Sequence, residues 1–194
     1  MALILASASP IRAHMLEAAG ATFKVQPADV YEAAIKARHQ GDTTGLAVEL
    51  AAAKAVAVSV SRPGDWTIGS DSLVNVGARI FDKPRDRGEA VEHLRMFSGR
   101  PMILTSAVAL VRSGEIEWSH VQSATLHVRN LSDAFVDSYL DAEWPEVGYC
   151  VGVFRMEGRG VQLFERIDGD HFTILGMPLL PLLAALRARG LMTS

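Results

Sequence analysis

Two strand-length runs, Met102 to Arg112 and Glu115 to Val128, are separated only by Ser113-Gly114, a connection that reads as a β-hairpin. Any fold for this chain has to accommodate that hairpin. In the second run Ala124, Leu126 and Val128 alternate with Thr125 and His127, so this part is expected to be half exposed. Helix signals flank the hairpin on both sides. Asp86 and Glu89 have capping-box spacing before Ala90, Leu94 and Phe97, with Ser98-Gly99 as the stop, and Ser132 caps a helix that turns Phe135, Val136, Tyr139 and Leu140 inward.

The chain starts with a short buried strand, Leu3-Ile4-Leu5. Ser9 then stands as N-cap, Pro10 at the first helical position, Met15, Leu16 and Ala19 as an apolar stripe, and Gly20 just past the end. Phe23 to Pro27 reads as a second strand, and a helical, lysine-containing segment follows Glu32. From Thr43 or Thr44 to Ser61, Leu46, Leu50, Ala53, Ala57 and Val60 recur at helical spacing until Arg62-Pro63-Gly64-Asp65 stops the pattern. Leucines 179, 180, 182, 183 and 186 make a last, core-facing helix closed by Gly190. The sum is a mixed α/β protein with antiparallel pairs and no regular βαβ repeat. At 194 residues the chain forms one domain, 1–194, or two small intimate lobes, and no repeat or linker divides it.

Composition excludes several classes. A net charge of -3 and the lack of any basic run argue against a nucleic-acid partner. Cys150 is the only cysteine, which rules out an internal disulfide and argues against cysteine-based zinc sites. Met1 to Ala6 lacks a basic flank and runs straight into a helix signal, so it reads as a strand rather than a signal peptide. No long uncharged apolar stretch predicts a membrane span. The expected compartment is a reducing cytoplasm.

The chemistry concentrates in a few places. Ile68-Gly69-Ser70-Asp71 puts one carboxylate among small residues on a strand, and the chain turns at Gly77 and closes on Lys83-Pro84. Gly69 and Ser70 would leave room beside Asp71 for a ligand or metal. A carboxylate and a pinned ammonium suit metal-assisted attack on an anion; an ordinary hairpin with a surface ion pair is the alternative. The start of the first helix gathers free amides, the Ser7 and Ser9 hydroxyls and Arg12, which is either a triphosphate cradle or simply a well-capped helix. Asp29 and Glu32 are candidates for a second carboxylate. Lys54, close to an apolar stripe, snorkels or reaches into the same site as Lys83. Gly152, Gly158 and Gly160, on an expected strand with Phe154, would let backbone lie against a flat ligand, a twisted or bulged strand being the other explanation.

Ile4-Leu5-Ala6-Ser7-Ala8-Ser9-Pro10-x-Arg12, Ile68-Gly69-Ser70-Asp71, Lys83-Pro84, the helix end from Leu94 to Ser98-Gly99, and Glu157-Gly158-x-Gly160 through Glu165-Arg166-Ile167-Asp168-Gly169-Asp170 to Gly176-Met177-Pro178 occur in this order. Together they resemble the Maf family of nucleoside triphosphate pyrophosphatases from the first strand to the last helix. The resemblance implies an elongated mixed sheet flanked by helices, related to inosine triphosphate pyrophosphatases, with a nucleotide cleft between two lobes and a homodimer. It implies cleavage of a nucleoside triphosphate to the monophosphate and pyrophosphate with a divalent cation, Mg or else Mn or Co. It makes Asp71 the catalytic carboxylate and, with Glu32, a metal ligand, and Ser7, Arg12, Lys54 and Lys83 substrate-binding residues. A nucleotide-binding regulator of septum formation and cell division is the non-enzymatic alternative.

Departures from the family pattern bear on the base. The three positions tied to base choice are Ile11, where one arginine of the familiar Ser-Pro-Arg-Arg is lost, Ser72, commonly Thr, and Glu157, where the subgroup acting on dTTP and UTP has Gln. Gly152 to Gly158 looks more like the subgroup acting on 7-methyl-GTP. An ionised glutamate only accepts hydrogen bonds, which suits the donor edge of guanine and a cationic methylated ring. A dTTP, UTP or CTP pyrophosphatase is the competing assignment.

Overall fold

The computed structural model describes residues 1–193. Its single mixed sheet has seven strands, β1 (Leu3–Leu5), β2 (Lys24–Val25), β3 (Trp66–Val76), β4 (Arg79–Phe81), β5 (Pro101–Arg112), β6 (Glu115–Val128) and β7 (Phe164–Asp168), in the order β2-β1-β3-β5-β6-β7 with β4 paired to β3. The β5–β6 hairpin forms as expected, with Ser113 and Gly114 both at positive φ (51° and 84°). β1 pairs in parallel with both β2 and β3, a local βαβ arrangement that the antiparallel signals elsewhere do not reveal. The seven α-helices are α1 (Pro10–Ala18), α2 (Glu32–Arg38), α3 (Thr43–Ser59), α4 (Arg87–Phe97), α5 (Asp133–Glu143), the single turn α6 (His171–Ile174) and α7 (Leu179–Arg187). The chain divides into two compact units, one of residues 1–72, 105–122 and 171–194, the other of 73–104 and 123–170.

In the first unit, Leu3, Leu5, Ile68, Val108 and Leu110 of the sheet share a core with Met15 and Leu16 of α1 and Leu182 and Leu186 of α7. Pro10 starts α1 because its fixed φ suits the first turn and its missing N–H is not needed there. Ser9 occupies the N-cap position without a side-chain cap bond; the Ser9 N–H donates instead to Ser7 Oγ (3.2 Å). α3 is capped by Asp42, whose carboxylate accepts from the Gly45 N–H, and buries small residues, Ala47, Ala51 and Ala55, of which Ala51 and Ala55 lie against Gly69 of β3. A Cβ on Gly69 would lie 2.1 Å from the Ala51 carbonyl oxygen and 2.7 Å from the Ala55 nitrogen. The room that Gly69 leaves is therefore taken by the α3 backbone, not by a ligand. Ser70 is also committed, fully buried with its hydroxyl donating to the Ala107 and Gly176 carbonyls.

In the second unit, the β3–β4 pairing joins Val74–Val76 to Arg79–Phe81 around Gly77, at φ 59°, and Asp86 caps α4 by accepting from the Glu89 N–H. The glycine-rich stretch departs from expectation. Residues 151–158 form turns and irregular backbone and Arg159–Leu163 a 3-10 helix, so this stretch contributes no strand. The cause is close packing: a Cβ on Gly160 would meet the Arg155 backbone at 2.4 Å, and one on Gly152 the Phe154 ring at 2.5 Å. These glycines let the chain fold on itself.

His93 on α4 is 4% exposed, lies edge-on to Phe81 (5.1 Å between centroids) beside Phe97, and its Nδ1 is buried without a hydrogen-bond partner. Desolvation lowers its pKa; Glu89, Glu92 and Asp82 oppose that and Arg79 reinforces it. The unfolded chain then binds this proton at a higher pH than the native one. The neutral ring's contribution is fully present above the unfolded value of about 6.5 and is lost as pH falls below it. Urea midpoints for wild type should fall from pH 7.5 to pH 5.5, and His93→Phe should flatten that slope; parallel profiles would remove His93 as its source.

Candidate active site

β3 presents alternate residues to opposite faces, and each face carries different chemistry. Gly69 and Asp71 face α3. The close approach at Gly69 brings Lys54, one turn after Ala51 and next to Ala55, to Asp71: its Nζ lies 2.5 Å from Asp71 Oδ1 and 2.8 Å from Glu32 Oε1 at the start of α2. Asp71 is 7% exposed, whereas the Glu32 side chain is 39% exposed. Two carboxylates from separate elements thus converge on one ammonium. Lys54 reaches inward rather than snorkelling.

Ser70 and Ser72 face the other way and help to hold Arg12. Its Nε donates to the Gly176 carbonyl (2.9 Å), Nη1 to the Ser70 carbonyl (2.9 Å) and Ser7 Oγ (3.4 Å), and Nη2 to Ser72 Oγ (3.0 Å). Desolvation lowers the Arg12 pKa, while Asp71 and, next, Glu32 pull it back up. A guanidinium so placed stays cationic. Gly176 sits at φ +103°, and a Cβ there would come within 3.2 Å of Ser72 Oγ. Its carbonyl serves Arg12, Ser70 and Ser72 together.

The first unit therefore gathers Ser7, Arg12, Glu32, Lys54, Asp71 and Ser72, with Ile11 half-buried at the start of α1. Asp29 is not among them. Lys83 and Glu157 belong to the second unit; both are exposed, and Glu157 Oε1 lies 3.5 Å from Arg155 Nε. Cys150 is partly buried, and its thiol pKa is raised, chiefly by desolvation and then by Glu157, which keeps it protonated and a poor nucleophile. Ser106, Thr173 and the Gly176 carbonyl were not singled out from the sequence, since they join the site over separations of 34 to 164 residues. The available signal was Thr105-Ser106, a polar pair inside an otherwise mostly apolar strand.

As to a cation, the described residues bring together no cluster of three or more His, Cys, Asp or Glu side chains. Asp71 and Glu32 supply two hard carboxylate donors. That donor set fits a magnesium-type ion, which is held by one or two carboxylates and completes its shell with substrate phosphates and water.

Residues 2–189 match the family described as Maf-like protein. The chain belongs to the Maf family. This Maf chain is 47% identical over 191 residues to the 7-methyl-GTP pyrophosphatase of Rhizobium meliloti (strain 1021), covering 97% of this chain and 96% of that one. It is 46% identical over 193 residues to the nucleoside triphosphate pyrophosphatase of Nitrobacter hamburgensis, at 98% and 95% coverage. It is 45% identical over 193 residues to the 7-methyl-GTP pyrophosphatase of Rhizobium etli, at 97% and 96% coverage. Among the described residues of the Maf chain, no helix is long and apolar enough to cross a membrane.

Proposed function

We propose that this Maf protein hydrolyses a nucleoside triphosphate to the monophosphate and pyrophosphate, with 7-methyl-GTP as the favoured substrate. The observation that carries the reading is the convergence of Asp71 and Glu32 on Lys54, in the unit where Arg12 is held by Ser7, Ser70, Ser72 and Gly176. Two carboxylates against two cations leave this cluster near neutrality, so a triphosphate needs further positive charge. Asp71 and Glu32 would hold a divalent cation which, when bound, neutralises phosphate oxygens and polarises the phosphorus. Asp71 orients or deprotonates the attacking water at the α-phosphorus, and the α–β anhydride bond breaks. Arg12 and the Ser7 hydroxyl bind phosphate oxygens. Lys54 fixes the two carboxylates, and Lys83 is assigned to the charge on the departing pyrophosphate by its chemistry and the family resemblance.

Glu157 supports the choice of base. Its carboxylate would accept from the N1–H and N2–H donors of guanine, and methylation at N7 adds a positive charge that favours it; uracil and thymine present a single N3–H donor between two carbonyl acceptors, which a carboxylate matches less well. Relatives named for 7-methyl-GTP support the same choice. Magnesium dependence, a homodimer and a cytoplasmic location belong to the same proposal.

A triphosphate panel tests it: GTP, 7-methyl-GTP, UTP, CTP and dTTP with magnesium, scoring pyrophosphate against orthophosphate. Pyrophosphate released chiefly from 7-methyl-GTP, and abolished by EDTA, is expected. Release mainly from pyrimidine nucleotides keeps the reaction and overturns the base assignment, whereas orthophosphate as first product overturns the reaction. No turnover of any nucleotide moves the reading to a nucleotide-binding regulator.

A further inference from the structure

Ser72 stands at a position that the family pattern ties to base choice, yet its hydroxyl is engaged on every side by the protein itself. Ser72 Oγ accepts from Arg12 Nη2 (3.0 Å), lies 2.8 Å from Ser106 Oγ and is 3.2 Å from the Gly176 carbonyl. The direction of the protons follows from the far end. The Thr173 carbonyl can only accept, so the Ser106 hydroxyl at 2.8 Å donates to it. Ser106 is then left with lone pairs, and the Ser72 hydroxyl is the donor between the two serines. Reversing that pair would leave Ser106 Oγ and the Thr173 carbonyl oxygen, 2.8 Å apart, without a proton between them. The Gly176 carbonyl, already serving Arg12 Nε at 2.9 Å and Ser70 Oγ at 3.0 Å, is the weaker acceptor.

The result is a chain running one way, Arg12 to Ser72 to Ser106 to the Thr173 carbonyl. Ser106 and Thr173 are completely buried. A hydroxyl whose proton goes into the protein has none to give to a base edge. It offers Arg12 a well-directed lone pair, and Ser106 fixes that direction.

We propose that Ser106, acting through Ser72, is a positioning residue for Arg12, and that Ser72 serves phosphate binding rather than base selection. The inference rests on the reading of Arg12 as a phosphate-binding residue. With four of its guanidinium N–H groups already paired to protein acceptors, Arg12 is oriented before substrate arrives. Losing the chain therefore weakens all triphosphates alike, because every one presents the same phosphates.

The test is a double-mutant cycle read by binding as well as turnover, with the α,β-methylene analogue of GTP plus magnesium as the calorimetric probe and kcat/KM measured across the nucleotide panel. Ser106→Ala is expected to weaken analogue binding and kcat/KM about tenfold to hundredfold, by the same factor for purine and pyrimidine nucleotides. Ser106→Thr, which keeps the hydroxyl, is expected to restore most of it. In an Arg12→Ala background Ser106→Ala should cost nothing more. Ser72→Ala, at the less buried end of the chain, should repeat the pattern should Ser106→Ala fold poorly. Equal losses with and without Arg12, or a changed preference among bases in Ser72→Ala, overturn the proposal. A wild type that binds the analogue without turning over nucleotides defeats the hydrolase reading only, and the cycle is then read from binding; a wild type that binds no analogue overturns the positioning role as well.

Discussion

Asp71→Asn is expected to retain its fold and its affinity for nucleotide while pyrophosphate release falls by three orders of magnitude or more. The reason lies in how the charges are shared. Asparagine is isosteric with aspartate, so the packing of a residue only 7% exposed is preserved. Removing a charge from a buried pair usually strands its partner at a cost of about 3–5 kcal/mol. Here Lys54 keeps Glu32 at 2.8 Å, and the ammonium is not left unpaired. What disappears is chemical: the anionic oxygen that orients or deprotonates water, and one of two donors for a cation. Positioned acid–base groups contribute roughly 10²–10⁴-fold, and loss of a metal donor adds to that. Single-turnover rates with excess enzyme, together with analogue affinity and melting temperature, separate these effects. A variant within tenfold of wild type would remove Asp71 from the chemistry.

Much of the site was legible in the sequence where chemistry and local geometry coincide. Asp71 among small residues, the proline-led start of α1 with Arg12, and the hairpin at Ser113-Gly114 each depend on a few neighbouring residues, and each lies where it was expected, although Ser9 makes no side-chain cap bond there. The meaning of the small residues did not follow, because they serve partners far away in the chain. Gly69 reads as an opening for a ligand until α3 is seen against it, and Gly152 and Gly160 read as a strand until the turns that they permit are seen. The same holds for Ser72. As a lone hydroxyl after a catalytic carboxylate it invites a role with the base, and only the contacts to Ser106, 34 residues on, and Gly176, 104 residues on, reveal its commitment to Arg12.

Gly69→Ala carries the largest expected stability loss, and the loss should reach the chemistry. A methyl group there meets the Ala51 carbonyl oxygen at 2.1 Å, and neither that oxygen nor the Ala55 nitrogen can swing away as a side chain would. Overpacking usually costs about 1–3 kcal/mol, and a clash with helix backbone belongs at the upper end or beyond. For a chain of this size about 3 kcal/mol lowers Tm by roughly 6–12 °C. The strain is relieved only by moving α3 away from β3. Lys54 rides on α3, so that displacement lengthens its contact with Asp71, and turnover should fall together with Tm. Adding Ala55→Gly removes the contact at 2.8 Å with the Ala55 Cβ but leaves the carbonyl of Ala51 in place, so it should not rescue either quantity. Rescue by Ala55→Gly would place the conflict in side-chain packing. A Gly69→Ala protein that melts within 2 °C of wild type and turns over normally would show that the backbone of α3 does not lie against β3 as described, and that the pairing of Lys54 with Asp71 does not depend on this glycine.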